Sequence, residues 1–526
     1  MAINTTGNLR RKPAHSSLFR LSFPMLMSAL AAASVCHAEL QFTPTVTLNE
    51  TYTDNVSLAS DALAKSELIT EVTPGFTMQD NSARLKLSAN YQYNYFDYSD
   101  KEVANTNKST STLMANMKAS LVPELFFLDS TASISQQALS AFGPQVADNS
   151  YSSVNRAELR SYVLSPYMVD RLGSEAVAQL RYTYSSMNTG ASVLGNSHAD
   201  GVTLDLASGT AFQRLTWDLM VNHQTIQNPV ESGISSETAS AKADFFLVPT
   251  FALTGNVGFD KYDYQALPGE DSKGNFWLVG FDWTPSSRTN LQASAGRRYF
   301  GSTYNLALRL HSRHTVWSAS YNDTVTNTTS QAATPSGINS ASLLTQLDSS
   351  TITDPGVLQQ TVASFLNQTG TPAMLANNLN FYSYSFFRQR SWQAAAAFNG
   401  ARSTLLLSLV DTEQTSLSAQ QADSLLLGVN GLFLNQNDRQ LSGMATWNYK
   451  LTTLSNAFLN YTQSRVTALS TDLTTTSKLL LIGVNTQLRH NVRGMIEIRR
   501  NEGDAGEGTL AHYRENAILA TVNILL

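Results

Sequence analysis

The chain has 526 residues, 14% of them charged and 42% hydrophobic, with a formal net charge of −5 at pH 7. Soluble domains carry roughly 25% charged and roughly 45–50% apolar residues, so this composition makes a poor soluble surface and a poor helical membrane protein. It suits a structure with one apolar and one uncharged polar face, and the acidic balance gives no electrostatic footprint for a nucleic-acid partner.

At the N-terminus, Arg10, Arg11, Lys12 and Arg20 accompany a short apolar stretch from Leu21 to Val35, and small residues run on to Ala38. A basic segment, a short apolar core and a small-residue cleavage sequence read as a secretory signal over residues 1–38. The apolar core is too short to span a membrane, and no later stretch approaches the roughly 18 apolar residues a spanning helix requires. The flanks of Arg10-Arg11 do not fit twin-arginine export, and Val35 is a poor neighbour for a lipidated Cys36. Cys36 is the single cysteine. Cleavage after Ala38 therefore leaves a mature chain with neither thiol nor disulfide.

From Phe42 onward the pattern has period two. A first strand runs from Phe42 to Thr53. Leu68, Thr70, Val72, Phe76 and Met78 then alternate with Glu67, Glu71, Thr73 and Gln79. From Ala83 to Tyr95 one face carries Leu85, Leu87, Ala89 and three tyrosines, and the other carries Arg84, Lys86, Ser88, Asn90, Gln92 and Asn94. Successive strand side chains point to opposite faces, so each such segment has an apolar and a polar surface. The same alternation returns around Ala176–Tyr184, Leu215–Asn222 and Tyr304–Leu310. Ser403 to Val410 is apolar on both faces, and its periodicity does not assign it. The last segment, Glu515 to Leu526, places Ile518, Ala520, Val522, Ile524 and Leu526 on one face, as a strand that closes a barrel would. Leu526 departs from the terminal aromatic residue common in outer-membrane barrels.

Short turns fall at 79–82, 122–124, 171–173, 213–214, 248–250, 285–288, 312–313, 400–402, 451–453 and 489–491. The connections between them are mostly longer and polar, and short and long alternate almost strictly. That alternation predicts an all-β, transmembrane, antiparallel up-and-down barrel of about 22 strands, with short periplasmic turns and long outer loops. Soluble sandwiches also alternate, but they give no reason for a long loop at every second connection. Tyr93, Tyr95, Tyr98, Trp277, Trp283, Trp392 and Trp447 read as interfacial girdle residues. With the first strand so near the cleavage site, no N-terminal plug domain is expected.

Several segments resemble the outer-membrane β-barrel family associated with exosortase/PEP-CTERM systems and exopolysaccharide clusters, which is related to β-barrel porins. They are T-Y-T-D-N-V at Thr51 to Val56, E-V-T-P-G-F at Glu71 to Phe76, L-V-P-E-L-F-F-L-D at Leu121 to Asp129, and G-R-R-Y-F-G-S-T-Y at Gly296 to Tyr304. The resemblance covers nearly all of residues 39–526. It implies an outer-membrane location and a link to polysaccharide secretion or surface-protein sorting, and it brings no established active site.

Chemistry-bearing motifs are sparse. Neither a G-x-x-x-x-G-K-[ST] phosphate loop nor an H-E-x-x-H zinc helix occurs. His311, His314 and His490 fall at expected turns, where solvation is the ordinary fate, and no metal or cofactor is expected. Serine and aspartate are too common for a hydrolase constellation to be picked out. Arg84, Lys86, Arg181, Arg298 and Arg309 fall on the expected lumen side, with Glu71, Asp218 and Glu497 as opposing anions. They would either line a selective pore or pair across the wall, and the mixture of signs favours pairing. In the Arg297-Arg298 pair, one guanidinium should face inward and the other outward.

The long connection 327–380 contains a helix signal: Asp354 as N-cap, Pro355 in the first turn, Gly370 as stop, and Leu358, Val362, Phe365 and Leu366 on one face. That helix is expected to narrow the pore. A second patterned stretch runs from Ser416 to Leu427. The leading function is a porin-like conduit or secretion component, ahead of a structural or docking barrel and of a barrel-rim hydrolase. The expected partners are outer-membrane lipid and lipopolysaccharide, the barrel-assembly machinery, polysaccharide and periplasmic export components.

Overall fold

The structure is a computed structural model that describes residues 40–100, 108–138, 140–150, 155–189, 196–227, 232–264, 271–327, 337–349, 352–369, 371–372, 374–377, 386–418, 437–505 and 511–526. The expected signal segment and all of Ser416–Leu427 beyond residue 418 lie outside them.

Twelve strands cover the first half: β1 Gln41–Thr53, β2 Glu67–Asn81, β3 Leu85–Tyr98, β4 Ser109–Val122, β5 Phe126–Ala138, β6 Arg156–Leu172, β7 Ala176–Thr189, β8 Ser197–Ser208, β9 Leu215–Gln227, β10 Ser232–Val248, β11 Phe251–Tyr262 and β12 Lys273–Ser286. Three more, β13 Thr289–Arg298, β14 Gly301–His311 and β15 Thr315–Thr326, lead into an insert. The insert holds a two-stranded ribbon, β16 Gly337–Asn339 and β17 Met374–Asn377, around helices α1 Ser340–Asp348 and α2 Pro355–Thr369. The wall resumes with β18 Phe387–Asn399, β19 Ser403–Ser416, β20 Asn437–Lys450, β21 Ser455–Ala468, β22 Thr474–Arg489, β23 Val492–Ala505 and β24 Ala511–Leu525.

All the strands except β16 and β17 form one 22-stranded antiparallel sheet, which closes because β24 pairs with β1 from Thr45↔Leu525 to Thr53↔Ala517. Closure leaves the sheet without a free edge strand, the condition a sheet must meet in hydrocarbon. Among the described residues no helix is long and apolar enough to cross a membrane.

The ten short connections all lie at one rim, the turn end, and the others at the opposite rim, the loop end. One departure is the Tyr299-Phe300 connection, only two residues long at the loop end; Gly301, with φ +111, accepts the left-handed backbone that this reversal needs. The outer face carries large exposed apolar residues, among them Leu253, Val257, Trp277, Trp317, Leu409, Ile482, Ile496 and Ile518. Toward the loop end the same face turns charged, with Arg390 3.2 Å from Glu413 and Lys261 3.2 Å from Asp263.

Candidate functional site: the lumen and its two obstructions

Strand parity fixes what faces the lumen. Arg181 leaves the wall inward from β7, where its Nη1 lies 3.1 Å from the Asp129 carboxylate and its guanidinium 3.9 Å from the Tyr167 ring centroid. Arg298 lies inward on β13, 3.1 Å from Asp260 and over the Phe276 ring, while Arg297 pairs in register with the outward Trp277. Glu71 is satisfied by neutral groups, accepting from Asn49 Nδ2 at 2.8 Å and Thr73 Oγ1 at 3.0 Å. Asp218 stands opposite Lys242 in register, although the Lys242 ammonium reaches Asp244 at 2.9 Å. Lys86 and Arg309 are exposed on the interior face and make no ion pair among the described residues. Lys86 is directly opposite a second lysine, Lys118.

Arg84 corrects the expectation. It precedes β3 in an exposed turn at the turn-end rim, where Asp80 accepts the Ser82 amide at 2.8 Å and the Ser82 hydroxyl accepts the Leu85 amide at 3.2 Å, while the Arg84 carbonyl still accepts the Ser120 amide of β4 at 2.8 Å. Tyr98 is also no girdle residue. It is 7% exposed, packed with Val56, Ile69 and Phe96 near the loop-end rim.

The insert lies inside the barrel. On the interior face, Val316, Ala395, Ala397 and Leu406 pack against Leu343, Leu344 and Leu347 of α1, Leu358 and Val362 of α2, and Leu375 of β17, with Phe365 and Leu366 at the edge. These wall residues sit near the turn end of β15, β18 and β19, so the insert enters at the loop end and reaches down most of the wall. Its lower edge is tied by Asn399 Nδ2 donating to Asp348 at 3.2 Å and Asn448 Nδ2 donating to Thr371 at 3.0 Å. The N-cap is the expected one: the Asp354 carboxylate accepts the Val357 amide at 2.9 Å. Helix α1 was not anticipated, although Asn339, whose side chain accepts the Ser342 amide at 3.0 Å, is an ordinary N-cap signal.

A second obstruction crosses the loop-end mouth. Residues 140–150 leave β5 and meet β23 and β24. Arg499, 2% exposed, bridges Asp148 of this segment and Glu515 of the wall, the latter at 3.3 Å and itself fully buried. Glu497 lies one step along the same face, in the field of Arg499. The Tyr98 hydroxyl donates to the Ser150 carbonyl at 2.9 Å, Asn501 Nδ2 donates to the Gln145 carbonyl at 3.2 Å, and Arg156 donates to the carbonyls of Asp148 and Asn149 at 3.2 Å. Burial opposes ionisation of Asp148, but the Arg499 charge and hydrogen bonds from Ser150 outweigh it and hold the carboxyl below its ordinary 3.8. Farther across, Phe142 packs with Val466, Ala468 and Phe387. Phe387 opens β18, eleven strands round a ring of 22 from β5, so the segment reaches the opposite wall. Tyr264 and Phe386 stack at 5.0 Å beside Ile226, Ile234 and Leu417, which narrows the mouth from another side. Sequence reasoning missed Arg499, although alternation from Glu497 puts it on the interior face. Nothing local in the sequence marks Asp148.

No protein-family profile and no curated protein sequence matches the chain. Among solved structures it is similar to the FrpB iron transporter from Neisseria meningitidis, with 10% identity and a TM-score of 0.48, covering 92% of this chain and 82% of that one. The siderophore receptor PirA from Pseudomonas aeruginosa gives 11% identity and a TM-score of 0.43, over 92% and 80% of the two chains. A ferric enterobactin receptor (PfeA) mutant from the same organism gives 10% and 0.46, over 93% and 81%. At such scores the likeness says nothing about cargo.

Proposed function

We propose that the chain is an outer-membrane barrel of a Gram-negative bacterium, acting as a self-plugged conduit for a large polar solute. The turn end faces the periplasm and the loop end the outside, as expected of barrels with tight turns at one rim. The observation that carries the reading is the docking of residues 337–377 within the lumen. The obstruction is part of one wall connection and needs no separate N-terminal plug domain.

The insert's seat supports displacement. Around it, on the interior face, Ser408 Oγ, Thr446 Oγ1, Asn448 Oδ1 and Asn460 Oδ1 are buried and have no protein hydrogen-bond partner among the described residues. A buried polar atom without a partner costs about 1–3 kcal/mol, and departure of the insert would return these groups to water. The resemblance to the exosortase-associated and exopolysaccharide-cluster family makes an exported polysaccharide, or a step in surface-protein sorting, the proposed cargo or task. The lumen-facing Lys86, Arg309 and the paired Arg181 and Arg298 would then contact it in the open state.

Single-channel conductance tests the reading. Thr371→Cys with Asn448→Cys should give a silent protein when oxidised and large steps when reduced under conditions that open the parent. Deleting 327–380 should raise conductance outright. No rise on deletion would sink the gating insert and leave the structural or docking barrel.

A further inference from the structure

On the outer face, strands β9–β12 enclose a depression of about 570 Å³. Register explains it. Leu219, Ala241, Val257 and Trp277 stand side by side in one row, and Trp217, Ala243, Gly255 and Val279 in the next. The two alanines and the glycine form a floor, with tryptophans at opposite corners. Phe245, Leu253 and Phe281 bound it toward the turn end and Phe259 toward the loop end. A Cβ at Gly255 would meet nothing within 4 Å, so crowding does not explain the missing side chain.

A second observation lies above it. Four residues nearer the loop end on the same face, Lys261 and Lys273 are directly opposed across β11 and β12. Like charges in that relation destabilise a sheet. Lys261 is partly compensated by Asp263 at 3.2 Å and Glu237 at 3.8 Å, whereas Lys273 has no ion pair among the described residues. At roughly 3.3 Å per residue the lysines stand roughly 13 Å above the depression. An apolar recess with opposed cations at that height fits an amphiphile with an anionic head.

We propose that β9–β12 form a binding site for the lipid A part of lipopolysaccharide, with one acyl chain in the depression and a phosphate between Lys261 and Lys273. This rests on the outer-membrane reading above, which puts the loop end in the outer leaflet. The apolar floor excludes a polar occupant, and the directly opposed lysines set this part of the loop-end face apart from the opposite-charge pair Arg390–Glu413.

Native mass spectrometry of the folded protein in detergent, titrated with lipid A, with lipid A stripped of its phosphates and with phosphatidylethanolamine, tests it. The wild type should retain one lipid A in preference to either comparison lipid. Lys261→Gln with Lys273→Gln should weaken that binding roughly thirtyfold. Gly255→Phe should abolish it while the protein still migrates as a heat-modifiable barrel. Undiminished binding by Gly255→Phe, or equal binding of the dephosphorylated lipid, would overturn the proposal. So would a wild-type dimer that Gly255→Phe dissolves, which would assign the depression to a second copy. Failure of the wild type to insert into bilayers would instead sink the outer-membrane reading, whereas a folded barrel that binds no lipid sinks this inference alone.

Discussion

At the scale of single residues, the interior charges divide by whether a partner was within reach of the same wall. Arg181 and Arg298 each found an acid two strands away, and Arg181 and Asp129 remain about a quarter exposed. A partly solvated pair such as Arg181–Asp129 contributes roughly 0–1 kcal/mol and shapes the lumen more than it stabilises the barrel, whereas Asp260, the partner of Arg298, is 1% exposed. Arg499 belongs to another class. Arg499 and Glu515 are withdrawn from water while the Asp148 side chain stays 35% exposed, and breaking a buried pair from one side costs about 3–5 kcal/mol. Arg499→Ala is therefore expected to undock residues 140–150, read as new protease cleavage between Gln145 and Ser150 in proteoliposomes with the strands intact. Unchanged cleavage would remove the latch from the account. The pH dependence has a definite sign. Asp148 has its folded pKa depressed below 3.8, so the latch's contribution is full above that value and is lost as pH falls through the lower, folded one. A fluorophore on Asn149→Cys should report a docked segment from pH 8 down to about 4, and release only in stronger acid. Release near pH 6 would contradict it.

At the scale of elements, the insert explains the one wall segment whose period was ambiguous. Ser403 to Val410 is apolar on both faces because Leu405, Leu407 and Leu409 face outward while Leu406 packs under the insert. The four alanines at 394–397 read the same way, with Ala395 and Ala397 making room for α1. Leu343 and Leu347 are 3% and 2% exposed. Truncating either to alanine is expected to cost about 2–5 kcal/mol of docking. Open probability in bilayers should rise in both variants. Val357, 52% exposed on the other side of α2, should tolerate alanine with no change in gating, which separates loss of docking from loss of helix. The helix over Asp354–Gly370 could be read from its cap, proline and spacing. Its place inside the barrel could not, because an amphipathic helix specifies that it needs an apolar partner and not which one.

At the scale of the whole molecule, the two faces of one closed sheet meet different solvents, and substitutions should obey that division. Ile482→Arg, on the outer face of β22, is expected to cost about 2–4 kcal/mol in lipid, whereas Gln179→Arg, on the interior face of β7, should be nearly neutral. Urea unfolding in vesicles measures both, and equal costs would contradict the assignment of faces. Deleting 511–526 removes β24 and leaves β1 and β23 with open edges, which hydrocarbon does not tolerate. Loss of heat-modifiable migration is expected. The strand number and the ten tight turns were legible in the sequence because alternation and turn chemistry are local, set by neighbours one or two residues apart. Arg84 falls at the turn-end rim and not within the wall because Ser82 and Asp80 form a turn where the period-two pattern still runs on. Closure of β1 on β24, the descent of residues 337–377 into the lumen and the bridging of Asp148 to Arg499 across more than 350 positions depend on contacts between segments far apart in the chain. Those contacts exist only once the wall has curved round to bring the segments together, so the tertiary structure alone decided them.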